Sequence, residues 1–255
     1  MVTEHGPLYD RIGSAYAATR KPDARHELAI HDALGDATSV VDVGAGTGSY
    51  EPFDRRVVAV EPSAVMIGQR PAGAAPVVRG VAEALPFDDG TFDAAMAILT
   101  VHHWTDPLAG VRELRRVARH RVVVFTADID VWAETWIVRD YFPEIGELDR
   151  ERFPRPGDLA DALGGARIVP VPTPSDCSDG FTPAFWKRPH AYLDPTIRAG
   201  MSSFASLPAT VIARGSRALE RDLERGRWQE RNAGLRDLDD LDVGHRLLVA
   251  DVGPE

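Results

Sequence analysis

The chain has 255 residues, of which 44% are hydrophobic, and this is enough apolar material to bury a substantial core. Its formal charge of −10 disfavours nucleic acid as a partner, because non-specific binding to a phosphate backbone depends on clustered Lys and Arg. Cys177 is the only cysteine, which excludes an intramolecular disulfide. The sequence contains neither a signal-peptide pattern nor an apolar run of the ~18–20 residues that span a membrane, so we expect a cytoplasmic protein without membrane attachment.

The first half of the chain predicts a sheet covered by helices. Two helical patterns occupy residues 9–35, and the second runs from about His26 to Leu34 and ends at Gly35, a favourable residue for a helix C-terminus. Short β-branched runs then alternate with helical patterns, such as residues 107–119, which is typical of a parallel sheet with helices on its faces. The predicted strands are residues 39–43, 56–60, 76–79, 92–99 and 121–127.

The second half is less regular. Two further strands are predicted at residues 166–174 and 245–252. Too many residues lie between them for a structureless loop, so residues 176–243 are predicted to form a helical insertion with a charged helix at 213–227. An aromatic-rich segment of this insertion suits either core packing or an apolar pocket, and its members are Phe181, Phe185, Trp186, His190 and Tyr192.

A glycine loop follows the first predicted strand in VVDVGAGTGS, residues 40–49. Since glycine lacks a Cβ, such a loop lets backbone N–H groups approach a ligand closely. A dinucleotide site requires G-x-G-x-x-G or G-x-G-x-x-A, whereas Gly44, Gly46 and Gly48 are followed by Ser49. The loop is therefore predicted to bind a nucleotide-like cofactor other than a dinucleotide.

Two acidic residues flank this loop and indicate the charge of the ligand. Asp42 directly precedes the loop, where a carboxylate would repel a pyrophosphate but suits an ammonium group. Glu61 ends the next predicted strand, where its two oxygens can accept both hydroxyls of a ribose. Together they predict an adenosine that carries positive charge in place of phosphates.

Four motifs in this order resemble those of class I S-adenosylmethionine-dependent methyltransferases, specifically the methyltransferase type 11 group. The motifs are D-V-G-A-G-T-G (42–48), V-E-P-S (60–63), A-E-A-L-P-F (82–87) and F-D-A-A-M-A-I-L-T-V-H-H-W-T-D (92–106). The resemblance covers about residues 9–127. It implies S-adenosyl-L-methionine as the cofactor and a doubly wound, Rossmann-like α/β fold, with seven strands in the order 3-2-1-4-5-7-6 and the last strand antiparallel.

The resemblance also implies a division of the chain into parts of one methyltransferase domain, residues 1–255. Residues 1–35 would cover the cofactor, residues 36–175 would form the cofactor-binding core, residues 176–243 would cover the acceptor site, and residues 244–255 would hold the last strand.

Particular residues acquire expected roles from the same resemblance. Glu61 would hold the ribose diol, and Pro62 and Met66 would border the adenine. Tyr16 and Arg20 would cover the cofactor, although a packed tyrosine and a surface arginine are the alternative. The full set of expected cofactor contacts is Tyr16, Arg20, Asp42, Gly44, Ala45, Gly46, Glu61, Pro62, Met66, Ala82, Glu83, Leu99 and Thr100.

One position departs from the family pattern. The family commonly has an Asp two residues before Glu83, which accepts a hydrogen bond from the adenine amine, and this chain has Val81 there. Loss of that bond removes about 0.5–1.5 kcal/mol of binding energy. Ala82 would still offer its backbone N–H to the adenine ring, so we expect weaker binding and not its loss.

Two adjacent histidines follow the fourth predicted strand, at the edge where open α/β sheets place their chemistry. The segment resembles the H-D-W run of small-molecule O-methyltransferases, which implies that His102 is the general base and that His103 takes the acidic position. A histidine that packs or covers the cofactor is the alternative. No metal site is expected.

The sequence thus predicts methyl transfer from S-adenosylmethionine to a small organic acceptor, with O- or C-methylation favoured. One alternative is a use of the cofactor without methylation, such as intramolecular cyclisation. Another is a cofactor-binding protein with a degenerate site, which Val81 would suit. A nicotinamide-dependent dehydrogenase is the remaining alternative, and the acceptor's identity and the oligomeric state are not specified.

Overall fold

The computed structural model describes residues 21–253 and contains one seven-stranded sheet. The strands are β1 (Ser39–Val43), β2 (Arg56–Val60), β3 (Val77–Val78), β4 (Phe92–Ile98), β5 (Ala118–Ala127), β6 (Arg167–Pro170) and β7 (His245–Asp251). Their spatial order is 3-2-1-4-5-7-6, as predicted. Strands β1 to β5 pair in parallel, while β7 lies between β5 and β6 and is antiparallel to both.

Helices and helical turns make up most of the remaining described chain. The helices are α1 (Ala24–Leu34), α2 (Ala64–Gly68), α3 (Pro107–Val117), α4 (Ile129–Ala133), α5 (Pro143–Arg152), α6 (Pro156–Ala162), α7 (Pro195–Ala199), α8 (Ser202–Ala205), α9 (Ala209–Glu224) and α10 (Arg227–Arg231). Single 3-10 turns occur at Val101–His103, Thr182–Phe185, Pro189–Leu193 and Ala233–Leu235, and a π-turn at Ile137–Tyr141. None of the helices within residues 21–253 combines the length and the apolar character that crossing a lipid bilayer requires.

The sheet is doubly wound because alternate residues of each strand point to opposite faces. On one face Val41 and Val122 pack with the apolar residues of α3 and α6. On the other face Val40 and Val123 pack with Ile30 and Leu34 of α1. Both faces are therefore buried, which explains why the strands are β-branched runs with little polar alternation.

The ends of the predicted helices follow from their sequence. The side chain of Asp23 accepts a hydrogen bond from the N–H of Arg25 at the start of α1, and the helix ends at Gly35, which has a φ of 57°. The side chain of Asp106 accepts from the N–H of Ala109 at 2.9 Å, at the start of α3. The charged helix predicted at 213–227 is α9, which begins earlier, at Ala209, and ends at Glu224.

The prediction of one continuous strand over residues 166–174 is wrong. Strand β6 ends at Pro170, and the short strand Thr173–Pro174 pairs with Asp240–Leu241 in a separate two-stranded sheet. Prolines at 170, 172 and 174 lack an N–H at every second position, so hydrogen bonding along one edge cannot continue.

A third hydrophobic cluster, here called the cover cluster, lies beyond the two faces of the sheet. It joins the helices that follow β5 to the segment between β6 and β7. Its largest buried side chains include Trp132, Trp136, Phe142, Phe181, Trp186, Tyr192, Phe204 and Trp228. Most of the aromatic residues predicted in the insertion therefore serve as core.

Candidate functional site

The carboxyl ends of β1, β2 and β4 border a cavity of about 360 Å³, here called the main cavity. This volume lies within the range of about 300–1,000 Å³ that is usual for small-ligand sites. Most of the predicted cofactor contacts line it, namely Asp42, Gly44, Ala45, Gly46, Glu61, Pro62, Met66, Ala82, Glu83, Leu99 and Thr100. His103 lines it as well, whereas Tyr16 and Arg20 lie outside the described residues.

The glycine loop donates its N–H groups to the protein. Gly44 and Ala45 both donate to the carbonyl oxygen of Val60, at 2.8 and 3.2 Å, and Gly48 donates to the carbonyl of Ala45 at 2.9 Å. Gly46 donates to the carboxylate of Glu61. These four N–H groups are therefore donated within the protein, and in this the loop is unlike a helix N-terminus whose free N–H groups bind a pyrophosphate.

Gly44 allows the loop to lie against the end of β4. Its φ is 75°, a conformation that residues with a Cβ rarely adopt. A Cβ at this position would lie 2.1 Å from Oγ1 of Thr100. The close approach of Gly44 and Thr100 brings together the glycine loop and the end of β4, two segments that the resemblance predicts to contact the cofactor.

Glu61 connects the end of β2 to the glycine loop. Its Oε2 accepts a hydrogen bond from the N–H of Gly46 at 2.9 Å, and its Oε1 accepts from the N–H of Ser63 at 2.8 Å. A carboxylate oxygen has two lone pairs and can accept more than one hydrogen bond. The two backbone bonds fix the orientation of the carboxylate in the wall of the main cavity.

Glu83 fixes the loop between β4 and α3. Its Oε1 accepts hydrogen bonds from the N–H groups of Thr105 and Asp106, at 2.7 and 3.0 Å. The neighbouring Trp104 lines the main cavity and packs so closely on Gly110 that a Cβ there would lie 2.4 Å from the indole ring. Val81, the departure from the family pattern, also lines the cavity and is 47% exposed.

Acidic groups dominate the charge of the main cavity. Four carboxylate residues line it, Asp42, Glu61, Glu83 and Asp179, whereas the described lining residues include no Lys or Arg. Burial raises the pKa of Asp42 well above that of a free aspartate, and the nearby Glu51 and Glu61 raise it further while Arg70 opposes the shift. A cationic ligand would relieve this accumulation of negative charge, and a pyrophosphate would increase it.

A buried ion pair contacts the backbone of the glycine loop, and sequence reasoning missed it. Arg70 forms the pair with Glu51, and these side chains are only 5% and 8% exposed. Arg70 also donates to the carbonyl of Gly46 at 3.1 Å, and Glu51 accepts from the N–H of Ala75 at 3.2 Å. The pair therefore fixes the loop carbonyl, although no local pattern links Arg70 to the loop.

Sequence reasoning also missed Tyr50 and Asp179, which line the main cavity although they lie 129 residues apart in the chain. The Tyr50 hydroxyl donates to Oδ2 of Asp179 at 2.8 Å and accepts from the N–H of Asp23 at 3.3 Å. The position of Tyr50 directly after the glycine loop was a usable signal. Asp179 offered none, because it lies in the irregular segment after Thr173–Pro174.

A second, much smaller cavity lies on the other side of Leu99, which lines both. Leu99 has a φ of 52°, a strained conformation for a branched residue, and its N–H donates to the carbonyl of Phe125 at 2.7 Å. The remaining walls of the second cavity come from the turn after β4, from β5 and β7, and from the helical segments of the cover, and they are His102, Ala127, Trp132, Phe153, Phe181, Thr182, Met201, Ser202, Ser203 and His245.

The two adjacent histidines thus belong to different cavities. His103 lines the main cavity, and His102 lines the second cavity, where its ring stacks on Phe153 with centroids 3.9 Å apart and planes at 11°. The centroids of the two imidazole rings are 3.8 Å apart. The candidate base His102 therefore lies in the second cavity, in contact with His103 of the main cavity.

Comparison with known proteins decides the family. A family model described as a methyltransferase domain matches residues 41–126. A crystal structure from Anabaena variabilis, of a protein assigned as a methyltransferase of an antibiotic biosynthesis pathway, has a TM-score of 0.83 and 33% identity, with 91% of this chain and 98% of that chain covered. The chain belongs to the class I S-adenosylmethionine-dependent methyltransferases.

Curated relatives of this methyltransferase match over a shorter stretch. An uncharacterized methyltransferase of Mycobacterium tuberculosis is 37% identical over 89 residues, which cover 32% of this chain and 36% of the relative. A demethylmenaquinone methyltransferase of Mycolicibacterium vanbaalenii is 38% identical over 87 residues, which cover 34% of this chain and 35% of the relative. The match therefore spans only about a third of these curated relatives.

The cofactor of the family is S-adenosylmethionine, and the main cavity fits it. Four carboxylate residues line the cavity, four N–H groups of the glycine loop bond within the protein, and two backbone N–H groups orient the carboxylate of Glu61. The family model ends at residue 126, so it includes the glycine loop and Thr100 but neither Asp179 nor the cover cluster.

Proposed function

We propose that this chain transfers the methyl group of S-adenosylmethionine to the oxygen or carbon of a small organic acceptor. The observation that carries the proposal is the acidic main cavity, whose glycine-loop N–H groups are already donated to the protein. Glu61 would hold the ribose, Pro62, Met66 and Ala82 would border the adenine, and Thr100 would lie beside the methionyl part.

Bound S-adenosylmethionine supplies an electrophilic methyl group on a positively charged sulfur. The protein's own task is to align an acceptor with that group and to remove a proton from it. The second cavity adjoins the main cavity at Leu99 and contains His102, and its volume is about 30 Å³, so in this proposal only the reacting group of the acceptor enters it. In this proposal His102 takes the proton of the acceptor's hydroxyl or acidic C–H as the new bond to the methyl carbon forms.

The character of the second cavity supports a small, neutral acceptor. Its described walls are aromatic and apolar apart from two histidines, a threonine and two serines, and they include no Lys, Arg, Asp or Glu. The buried indole N–H of Trp132 has no hydrogen-bond acceptor within residues 21–253. A carbonyl, ether or hydroxyl oxygen of the acceptor would satisfy it.

Calorimetric titration tests the cofactor part of the proposal. The chain should bind S-adenosylmethionine and S-adenosylhomocysteine in the micromolar range, and Glu61→Ala should abolish or strongly weaken both. Glu220→Ala, which removes an exposed carboxylate of α9, is the matched control and should bind like the original chain. Failure of the unaltered chain to bind either compound would overturn the proposal.

Mass spectrometry of the nucleoside product tests the reaction. Incubation with S-adenosylmethionine and a panel of neutral hydroxylated and carbonyl compounds should give S-adenosylhomocysteine together with a methylated acceptor. Formation of methylthioadenosine would instead indicate intramolecular cyclisation. Absence of any turnover across the panel, with tight cofactor binding retained, would favour a binding protein.

A further inference from the structure

The buried ion pair of Arg70 and Glu51 contacts the glycine loop, yet neither residue is among the described residues that line the main cavity. The guanidinium of Arg70 bonds to three acceptors. Its Nη1 donates to the carbonyl of Gly46 at 3.1 Å, and its Nη2 donates to the carboxylate of Glu51 and to the carbonyl of Ala75. Arg70 therefore connects the loop after β1 to the segment that leads into β3.

The same ion pair accounts for the third glycine of the loop. A Cβ at Gly48 would lie 3.2 Å from Oε2 of Glu51 and 3.5 Å from Nη1 of Arg70, so it would press on the carboxylate. Gly48 also has a φ of 94°, which residues with a Cβ rarely adopt. The glycine at this position therefore allows the loop to pack directly on the pair.

Gly46 is held on both sides of its backbone. Its carbonyl accepts a hydrogen bond from Arg70, and its N–H donates to Oε2 of Glu61 at 2.9 Å. Glu61 lines the main cavity and is the residue expected to hold the ribose. A series of contacts thus runs from Glu51 through Arg70 and Gly46 to this carboxylate.

The glycine loop needs such contacts because glycine has few restraints of its own. Gly44, Gly46 and Gly48 all have a positive φ, and glycine residues without bonding partners would exchange among many conformations. Ordering such a loop when a ligand binds costs conformational entropy, whereas a loop that is already ordered binds without this cost. A guanidinium suits this task, since its planar fork bonds to several acceptors at once.

We propose that Arg70 is a positioning residue for the cofactor and acts through Gly46 on the carboxylate of Glu61. The inference rests on the proposed function, because it assumes that S-adenosylmethionine occupies the main cavity with its ribose on Glu61. Glu51 balances the charge of Arg70 inside the protein. A role confined to folding is the alternative, since Arg70 also bonds to the carbonyl of Ala75.

The variant that tests the inference removes the ion pair without leaving a buried charge. Replacement of one partner alone leaves the other charge buried and unpaired, whereas replacement of both by apolar residues of similar size is often neutral for stability. The variant is therefore Arg70→Met combined with Glu51→Met. The control is Arg214→Met combined with Glu144→Met, which removes a more exposed ion pair between α9 and α5 whose residues are absent from the described cavity wall.

The measurement compares two ligands that differ in the ribose hydroxyls. Calorimetry gives the dissociation constants of S-adenosylhomocysteine and of its 2′,3′-dideoxy analogue, which lacks the hydroxyls that Glu61 would bind. Thermal unfolding of each variant establishes that it is folded. If the unaltered chain binds neither ligand, or binds both equally well, the proposed function or its assignment of Glu61 fails, which is a distinct outcome.

The variant without the Arg70–Glu51 pair should bind S-adenosylhomocysteine about 10-fold or more weakly, the loss expected for one hydrogen bond to a charged group. Its loss for the dideoxy analogue should be smaller, because that ligand makes no ribose contact with Glu61. The control variant should bind both ligands as the unaltered chain does. Equal losses for the two ligands, or no loss for either, would overturn the role of Arg70 while leaving the proposed function intact.

A second variant covers the case in which the chain without the pair does not fold. Arg70→Lys keeps a positive charge opposite Glu51, so no buried carboxylate is left unpaired, but one ammonium replaces the fork that also reaches Gly46. It should weaken binding of S-adenosylhomocysteine more than binding of the dideoxy analogue. An identical effect on both ligands, or an unchanged affinity for both, would contradict the inference.

Discussion

The cofactor side and the cover of this molecule are built by different means. Between β1 and β5, small and β-branched residues form parallel strands, and the functional loop is fixed chiefly by backbone hydrogen bonds such as those from Gly44 and Ala45 to Val60. In the cover, large aromatic side chains pack together and bond to distant backbone carbonyls. Trp136 donates to the carbonyl of Trp186 at 2.7 Å, and Trp186 donates to that of Thr173 at 3.0 Å.

The difference predicts that the two regions respond differently to substitution. A loop fixed by backbone contacts depends on few side chains beyond glycine and one carboxylate, so its geometry survives extensive sequence change. A cover built from side chains takes its shape from each residue in it. The second cavity, proposed to take the acceptor, should therefore be the part of this chain that is most sensitive to substitution.

The largest expected effect comes from substitution of the two histidines, which line different cavities. His102→Ala should lower the rate of methyl transfer to the best acceptor by about 10²–10⁴-fold, the contribution of a positioned general base, and should leave the dissociation constant of the cofactor unchanged. His103→Ala should weaken cofactor binding, because His103 lines the main cavity. Steady-state kinetics and calorimetry measure the two effects, and a reversed pattern would assign the base to His103.

The next effect concerns the stability of the cover. Trp186→Ala removes a fully buried ring and should lower the free energy of unfolding by about 3–5 kcal/mol. Trp186→Phe should cost less, since it keeps most of the buried area and loses mainly the hydrogen bond to Thr173. Urea titration followed by tryptophan fluorescence checks both. Equal costs for the two substitutions would show that the hydrogen bond, and not the packing, dominates.

The glycine loop provides a prediction for the cofactor side. Gly44→Ala introduces a Cβ that overlaps Thr100 at a positive φ, and the two penalties together should weaken cofactor binding by about 2–5 kcal/mol. The control is Gly73→Ala, because Gly73 has a φ of 93° but no atom within 4 Å of the added Cβ. Calorimetry with S-adenosylhomocysteine measures the difference, and equal losses would show that backbone strain alone is responsible.

The smallest expected effect is a pH dependence of the stability of the cofactor-free protein. The pKa of Asp42 is raised well above 3.8 in the folded chain, so the folded state retains this proton at pH values where the unfolded state has lost it. Stability should therefore fall as the pH rises from about 3.8 through the folded-state pKa, and each unit of pKa difference corresponds to about 1.4 kcal/mol.

Asp42→Asn removes this penalty. The variant should be more stable than the original chain above the folded-state pKa and equally stable at acid pH, and urea titrations at several pH values measure the difference. Asp240→Asn, at an exposed carboxylate, is the control. Parallel stability curves for Asp42→Asn and the original chain would contradict the prediction.

The parts of the fold that were predictable are those in which the pattern is local. The β-branched runs located the seven strands of the sheet, and the resemblance supplied their order. Gly35 correctly placed the end of α1. The break in the strand over residues 166–174 was missed because alternate prolines were taken as tolerable at an edge, whereas they also remove the donors that the next pairs need.

The site was predictable where one motif residue contacts another, as Glu61 contacts Gly46. It was not predictable where partners are far apart in sequence. Tyr50 and Asp179 are 129 residues apart, and Arg70 meets Glu51 only because the chain turns back after β2. Such pairs depend on how complete elements pack, which no short pattern encodes.

The insertion of β7 between β5 and β6 has a consequence for how the chain folds. Strand β6 pairs with β7 from Arg167 to Pro170, and the segment that makes this pairing follows the whole cover in sequence. Strand β6 therefore remains detached from the growing sheet until residues 245–251 arrive, and the late closure of such distant contacts slows folding. During synthesis on the ribosome, the edge of β5 that pairs with β7 would stay unpaired until β7 emerges.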